Sequence, residues 1–198
     1  MTNYFDPQIF KLEKMVTRIS LTELHKATGN FNTGNVIGLG KFRMMYKGVL
    51  PNGWPHAIKG LHDSKSFEKQ YVSELLALGI LKHNNIVPLL GYCKERKEKL
   101  LVYKYISNGS LYDWLHVAKG RTKIFEWLLR IIIAIGIARG IARGLAWLHH
   151  DCNFRVVHLN LSSNSVLLDH NFEPKISNFG ESIILKIWRG NVLEPKRQ

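Results

Sequence analysis

The order of apolar and polar residues along the first 60 positions predicts one helix followed by three short strands. Ser20 and Glu23 have the spacing of a capping box, which marks the beginning of a helix, and Gly29 marks its end. Beyond this helix the pattern changes to that of strands with glycines between them. The Asn52-Gly53 pair is typical of the turn in a β-hairpin. We therefore expect strands over 35–40, 42–50 and 54–60.

The middle and last parts of the chain again alternate between helical and strand patterns. Apolar residues at helical spacing predict a helix over 64–81, and strands over 86–93 and 100–106 follow it on either side of a charged turn. A short helix over 111–116 and a long apolar helix over 126–150 come next. Three more short strands are expected at 155–157, 166–168 and 175–176. This order predicts an α+β fold in which a five-stranded antiparallel sheet with one internal helix precedes a helical lobe.

The long helix contains the sequence Ile-Ala-Arg-Gly twice, at 137–140 and 141–144. Four residues turn a helix by about 400° and lengthen it by about 6 Å, so the apolar stripe continues with a small twist while everything downstream shifts by one turn. Gly136, Gly140 and Gly144 fall at every fourth position, a spacing also seen in membrane helices. Because arginines interrupt the apolar run, we interpret the segment as a buried helix of a soluble domain.

The composition is that of an ordinary globular domain, with 198 residues of which 45% are hydrophobic and 22% charged. A chain of this length can form one medium domain or two small lobes, with a core that needs no disulfide. The two cysteines, Cys93 and Cys152, lie far apart and outside any metal-binding pattern. We expect reduced thiols and no zinc site.

The net charge of +13 favours anionic neighbours such as nucleic acid, nucleotide or a negatively charged membrane surface. The basic residues are scattered, however, and in the densest run, 94–99, acids alternate with bases. We interpret this run as a solvated turn and expect no nucleic-acid partner, with a basic module that binds nucleic acid or membrane as an alternative. Neither a signal peptide nor a membrane span is visible, so membrane association is expected only through a segment absent from this chain.

Four motifs follow one another along the chain. A glycine-rich hairpin begins at Gly38 with Gly-Leu-Gly, and Lys59 ends the strand sequence His-Ala-Ile-Lys. A loop over 157–169 contains His-Leu-Asn-Leu-Ser, and the sequence Asn-Phe-Gly ends at Gly180. In this order and spacing the chain resembles the protein kinase superfamily, most closely the plant leucine-rich-repeat receptor-like kinases, over about 31–180.

The resemblance implies three parts. Residues 1–30 are similar to the juxtamembrane lead-in of such kinases and include the short helix, 31–106 form the N-lobe, and 107–198 form a partial C-lobe that ends at the start of the activation segment. Only 18 residues follow Gly180, whereas the family continues with an activation segment and further helices. We therefore expect a truncated C-lobe that is marginally stable or needs a stabilising partner.

The same resemblance implies a nucleotide site in the cleft between the lobes. In the family the hairpin glycines close over the phosphates, and a strand lysine paired with a glutamate contacts them; Lys59 and Glu74 take these places. The sequence Tyr-Lys-Tyr-Ile at 103–106 resembles the hinge, and its first residue, Tyr103, would lie at the back of the pocket. A plain hairpin, an ordinary strand lysine with a solvent-facing Glu74, and a core aromatic at Tyr103 are the structural alternatives. The implied site consists of Ile37, Gly38, Gly40, Met45, Ala57, Lys59, Glu74, Tyr103, Tyr105, Ile106 and Leu167.

The positions that carry chemistry in the family are altered. Asn160 replaces the aspartate that accepts the substrate proton, and Asn178 replaces the aspartate that binds magnesium. Ser162 replaces the lysine that steadies the γ-phosphate, and Ser165 replaces a second metal ligand. His158, whose role is structural, is kept. The resemblance thus implies no intact catalytic residue and no metal site.

Retained packing residues beside lost acids are similar to the inactive members of these receptor kinases, the pseudokinases that interact with co-receptors. We expect an inactive signalling module that binds a partner receptor kinase or co-receptor in the cytoplasm, at the inner face of the plasma membrane if it is part of a receptor. ATP binding is expected to be weak or metal-independent, because Lys59 and Gly38 favour it whereas Arg43 in the hairpin and the missing metal ligands oppose it. The alternative is an active serine/threonine kinase with unusual chemistry, either metal-free or with amide ligands to the metal.

Overall fold

A computed structural model describes residues 16–39, 44–61, 65–96, 98–117, 127–151 and 155–185. Within these ranges the helices are α1 (Leu21–Thr28), α2 (Lys65–Ile80) and α3 (Trp127–Ala146). The strands are β1 (Thr17–Arg18), β2 (Val36–Leu39), β3 (Met44–Val49), β4 (Pro55–Leu61), β5 (Leu89–Glu95), β6 (Glu98–Lys104), β7 (Arg155–Val157), β8 (Val166–Leu168), β9 (Pro174–Ile176) and β10 (Ile183–Leu185). Short 3-10 turns (Thr33–Asn35, Ser163–Ser165, Phe179–Glu181) and π-helical turns (Asp113–Val117, Trp147–Asp151) complete the regular structure. No helix in these ranges is long and apolar enough to cross a membrane.

The largest sheet has six strands in the order β1-β5-β6-β4-β3-β2, which confirms the predicted α+β class. Strands β2 to β6 pair antiparallel, as the sequence predicts. The prediction of five strands was incomplete, because Thr17 and Arg18 of the lead-in add a sixth strand that runs parallel to β5. A strand of two residues shows no readable alternation of apolar and polar positions, so the sequence pattern did not reveal it.

The lead-in approaches β5 closely because Gly91 has no side chain. A Cβ atom at Gly91 would lie 2.5 Å from Cδ1 of Ile19 and 3.0 Å from the carbonyl oxygen of Thr17. The backbone N–H of Ile19 also donates a hydrogen bond to the carbonyl oxygen of Tyr92 at 2.9 Å. The lead-in from residue 16 onward is therefore built into the N-terminal lobe.

Helix α1 has the ends that the sequence predicts. The Ser20 hydroxyl oxygen accepts a hydrogen bond from the Glu23 N–H at 3.2 Å, and the Glu23 carboxylate accepts one from the Ser20 N–H at 3.2 Å. Gly29 ends the helix with a φ of 60°, in the left-handed region. Leu24 on the inner side of the helix is buried in a cluster with Ile58 of β4. Helix α1 thus covers one face of the sheet, while α2 packs on the other.

The charged run at 94–99 belongs largely to the strands. Strand β5 continues to Glu95 and β6 begins at Glu98, directly opposite it. Arg96 lies in the left-handed region with a φ of 54°, which reverses the chain in a tight turn. The predicted turn was therefore too long, because antiparallel pairing continues until the backbone itself reverses.

Helix α3 carries the tandem Ile-Ala-Arg-Gly, and the glycine of each copy faces strand β9. Both Gly140 and Gly144 are buried. A Cβ atom at Gly140 would lie 2.8 Å from Cδ of Pro174 and 2.9 Å from Nδ2 of Asn85. A Cβ atom at Gly144 would lie 2.9 Å from Cδ1 of Ile176. The repeat therefore gives α3 a face without side chains at these two positions, so that β9 packs close to the helix backbone.

The segment after α2 joins the two lobes. The carbonyl oxygen of Asn85 accepts a hydrogen bond from the Ile176 N–H at 2.8 Å, and the carbonyl oxygen of Ile176 accepts one from the Val87 N–H at 2.9 Å. The Asn85 side chain donates to the Pro174 carbonyl at 3.1 Å. The main hydrophobic cluster runs through this junction, since it contains residues of α2 and β6 together with Leu148 and Ile176. Strand β9 is therefore hydrogen-bonded to the segment that follows α2.

Candidate functional site

Lys59 of β4 and Glu74 of α2 form an ion pair between the sheet and the helix. The Lys59 Nζ atom lies 2.8 Å from Oε2 of Glu74. The Glu74 side chain is 2% exposed and that of Lys59 is 21% exposed. A buried carboxylate needs a cationic partner, and Lys59 supplies it from the more open side. The pair inferred from the sequence is present, whereas the contact of Lys59 with phosphate stays a prediction.

Four of the predicted site residues share one face of the sheet. Met45 stands opposite Lys59, and Ala57 stands opposite Tyr103. Opposed residues of an antiparallel pair lie on the same face, as do residues two apart on one strand. Met45, Ala57, Lys59 and Tyr103 therefore line a common surface, on the side that α2 covers.

The other predicted nucleotide-binding residues occupy mixed environments. Gly38 lies opposite Met45, and Ile37 is exposed. Ile106 is buried, while Tyr105 and Leu167 are partly buried against the same core cluster. Gly40 lies outside the described residues.

Tyr103 is a core aromatic that also lies close to the ion pair. It is 4% exposed, and its hydroxyl group has no hydrogen-bond partner of good geometry in the described ranges. Desolvation by burial, and then the nearby negative charge of Glu74, raise the pKa of Tyr103 well above its usual value. The tyrosine thus remains a neutral phenol beside the Lys59–Glu74 pair.

His158 holds the loop that follows β7 against the segment that follows β9. Its Nε2–H donates to the Ser177 carbonyl oxygen at 2.7 Å, and its Nδ1 accepts from the Asn160 N–H at 3.2 Å. The imidazole meets the ring of Phe179 edge-on, with centroids 4.6 Å apart. Burial lowers the pKa of His158 despite the hydrogen bond to Ser177. A neutral ring with both nitrogens engaged fits the structural role expected from the sequence.

The altered loop positions differ in how much freedom their side chains have. Asn160 and Ser162 are exposed, whereas Ser165 is 1% exposed. The Ser165 hydroxyl accepts from the Ser162 N–H at 2.6 Å and donates to the Ser162 carbonyl at 2.9 Å. These bonds cap the short turn Ser163–Ser165. The Ser165 hydroxyl, at the position of the second metal ligand, is therefore hydrogen-bonded within its own loop.

Asn178 begins the segment that docks on α2. Its φ of 65° lies in the left-handed region, which asparagine tolerates better than most residues. The next residue, Phe179, is fully buried. Ser73 of α2 donates to the Ser182 carbonyl at 2.7 Å, and Gln70 donates to the Glu181 carboxylate at 2.6 Å. The placement of Asn178 and that of the helix bearing Glu74 are thus coupled.

The residues at these positions do not fit a magnesium site. Mg²⁺ prefers carboxylate oxygens, and Asn178 and Ser165 offer a neutral amide and an engaged hydroxyl. In the part of the chain that the structure describes, no group of three or more His, Cys, Asp or Glu side chains is placed to hold a metal ion. A general base is likewise missing at Asn160, because an amide does not accept a proton near neutral pH.

One contact at the edge of the site was not anticipated from the sequence. The Lys47 Nζ atom lies 4.6 Å from the centre of the Tyr105 ring, within cation–π distance. Lys47 is two residues from Met45 on β3 and therefore lies on the same face of the sheet. The alternation of side chains along β3 is enough to place Lys47 on this face. The position of Tyr105, which follows the end of β6, could be seen only in the structure.

Comparison with known proteins gives a family match over most of the described chain. The model of the protein tyrosine and serine/threonine kinase family matches residues 31–187. This range contains both the Lys59–Glu74 pair and the altered positions Asn160 and Asn178.

Individual relatives come from plants. One Arabidopsis thaliana protein, named "Probably inactive leucine-rich repeat receptor-like protein kinase", is 48% identical over 174 residues, which are 87% of this chain and 27% of that protein. Another, "Probable inactive receptor kinase", is 40% identical over 173 residues, 87% of this chain and 28% of the relative. "Protein BRASSINOSTEROID INSENSITIVE 1" of the same plant is 42% identical over 169 residues, 85% of this chain and 14% of the relative. The chain spans less than a third of the length of each of them.

Proposed function

The chain belongs to the protein tyrosine and serine/threonine kinase family, and we propose that it is a receptor-like member that has lost phosphoryl transfer and acts by binding a partner protein. The observation that carries this proposal is a contrast between the packing residues and the residues at the reacting positions. The Lys59–Glu74 pair is assembled and Phe179 is buried beneath α2. The positions for proton transfer and metal binding, in contrast, hold Asn160 and Asn178. A scaffold without charged reacting groups can present a surface but lacks the means to neutralise a transferring phosphate.

The first prediction is that the purified chain transfers no phosphate. With labelled ATP, magnesium and a general acceptor protein, incorporation should equal that of the Lys59→Ala variant, because no carboxylate is present at either metal position. Incorporation of label measured by scintillation counting, beside an active kinase as positive control, provides the test. Transfer clearly above the Lys59→Ala background would overturn the proposed inactivity.

We further propose weak nucleotide binding that does not depend on metal. Lys59 would contact the phosphates from its more exposed side, while Met45 and Ala57 would form the roof over the base, as in the family. The affinity is limited because no carboxylate holds a bridging ion between the protein and the phosphates. Lys59 therefore supplies most of the charge that the phosphates would meet.

The second prediction concerns thermal stability in the presence of ATP. Millimolar ATP should raise the melting temperature by about 1–3 °C, with the same shift in magnesium and in EDTA. The Lys59→Met variant should lose the shift, whereas the Lys94→Ala variant, which removes an exposed lysine of β5, should keep it. Differential scanning fluorimetry measures these shifts. A shift that appears only with magnesium would show metal ligands that this proposal does not contain.

An active serine/threonine kinase is the second candidate function, and one observation favours it. The ion pair and the buried Phe179 have the arrangement expected of an assembled active site. An inactive member of the family does not need to keep this arrangement. The phosphate-transfer assay separates the two functions. If transfer does occur, restoring the acids with Asn160→Asp and Asn178→Asp would then show whether the amides carry the reaction.

The partner is proposed to be a receptor kinase or co-receptor at the inner face of the plasma membrane. The support is the similarity to plant proteins whose names describe receptor kinases, including two whose names describe them as inactive. The membrane attachment would then come from a part of the receptor outside the present chain.

A further inference from the structure

A polar recess lies on the side of the molecule where the loop after α2 meets α3 and β9. Its volume is about 330 Å³. The residues that line it are His83, Asn84, Asn85, Arg143, Glu173 and Lys175. None of them belongs to the nucleotide site proposed above. The recess therefore has to be explained by its own chemistry.

Two of the basic groups in the recess are held in place by neighbours. The Lys175 Nζ atom donates to the Asn84 carbonyl oxygen at 2.6 Å and lies 3.4 Å from a carboxylate oxygen of Asp169. The Nδ1 atom of His83 accepts from the Asn85 N–H at 3.1 Å, so the ring in its neutral form carries its proton on Nε2. These contacts fix an ammonium group and an imidazole at the wall of the recess before any ligand arrives.

Arg143 is the cation that remains available. Its side chain is exposed on α3. Among the described residues no carboxylate lies within ion-pair distance of it, including Glu173 in the same recess. A guanidinium group presents a planar fork of N–H donors that matches the oxygens of a phosphate. An anion in the recess would thus meet the Arg143 guanidinium, which has no carboxylate partner among the described residues, and the Lys175 ammonium group, whose charge is shared with Asp169.

We propose that this recess binds a phosphate group, carried by free phosphate or by a phosphorylated side chain of a partner. The recess combines the Arg143 guanidinium, the Lys175 ammonium group and the His83 imidazole, and the chain as a whole carries a net charge of +13 that attracts anions. Glu173 at the same recess and the Asp169 carboxylate beside Lys175 oppose an anion there. The balance of charges in the recess favours one phosphate group over a polyanion, because Glu173 would repel each further negative charge.

The tandem Ile-Ala-Arg-Gly accounts for the position of Arg143. Gly140 and Gly144 let α3 pack against Pro174 and Asn85 at close distance, and Arg143 leaves the helix directly beside that contact. Arg139, the equivalent residue of the first copy, is also exposed but does not line the recess. The two copies therefore supply a binding residue and a natural control for it.

The third prediction is that phosphate binds in the recess and depends on one arginine of the pair. A titration of the chain with sodium phosphate at constant ionic strength should produce saturable NMR shifts of the backbone amides at 83–85 and at Lys175. Arg143→Ala should weaken the affinity about tenfold, because it removes a charge-assisted hydrogen-bond donor. Arg139→Ala should leave the affinity unchanged. Glu173→Gln should strengthen binding by about twofold to fivefold.

The outcomes separate a built site from general attraction to a basic protein. Equal weakening by Arg139→Ala and Arg143→Ala, or the absence of saturable shifts up to about 50 mM phosphate, which corresponds to a negligible affinity, would overturn the proposal. Circular dichroism of each variant confirms that the fold is retained. A second titration with a short peptide that contains phosphoserine distinguishes the two sources. Tighter binding of the peptide assigns the recess to a phosphorylated partner, and equal binding assigns it to the free anion.

Discussion

Replacement of Phe179 by alanine is expected to lower the free energy of unfolding by about 3–5 kcal/mol. The ring is fully buried in the cluster that joins the two lobes, and it meets His158 edge-on with centroids 4.6 Å apart. Alanine would leave a cavity beneath α2, since the surrounding helix and strands are held by hydrogen bonds of their own. The loss should also loosen the segment that Ser73 binds at Ser182.

Urea denaturation followed by circular dichroism measures this loss. Trp54→Ala is the matched control, because Trp54 is a larger aromatic residue that is 71% exposed at the β3–β4 turn. Its replacement should change the free energy of unfolding by no more than about 0.5 kcal/mol. Similar losses for the two variants would mean that Phe179 is not packed as described.

Gly140→Ala is expected to destabilise the chain by about 1–3 kcal/mol, even though alanine favours a helix over glycine by about 1 kcal/mol. The added methyl group would meet the ring of Pro174 and the side-chain nitrogen of Asn85, which would lie 2.9 Å away. Asn85 cannot move freely, because its side chain donates to the Pro174 carbonyl and its own carbonyl accepts from Ile176. The strain therefore falls on the junction between the lobes.

The control for this prediction lies one turn earlier on the same helix. A Cβ atom at Gly136 would have no described neighbour within 4 Å. Gly136→Ala should therefore stabilise the chain by about 0.5–1 kcal/mol through helix propensity alone. Thermal or urea denaturation of both variants should give opposite signs, and the same sign for both would contradict the described packing of α3.

The sequence predicted those parts of the fold that depend on local patterns. The capping box at Ser20, the helix that carries Glu74 and the hairpin of β3 and β4 all have signals within a few residues of one another, whereas the pairing of β4 with β6 joins distant segments. The parallel pairing of Thr17 with Gly91 has none, because it depends on a close approach between distant segments. The end of β5 was misplaced for a related reason, since charged residues continue a strand as readily as they form a turn when one face is solvated.

The candidate site also contains parts that the sequence predicted and parts that it did not. The order of motifs was enough to infer that Lys59 and Glu74 would meet, and they do so at 2.8 Å. The sequence also showed which residues replace the reacting groups. It did not show that the Ser165 hydroxyl is engaged by Ser162, or that Tyr103 lies near Glu74, because these contacts depend on backbone geometry. The basic recess was missed because its members are scattered from 83 to 175 and gather only on folding.

The short strand β1 determines which edge of the large sheet is open to other molecules. An uncovered edge strand offers unpaired N–H and C=O groups to any extended chain that reaches it. Here the edge of β5 is paired with Thr17 and Arg18 of the same chain, so among the described strands the longer edge left for strand-by-strand self-association is Val36–Leu39. A chain that begins at residue 31, where the family match begins, would expose the edge of β5. It would then have a second edge strand through which it could aggregate.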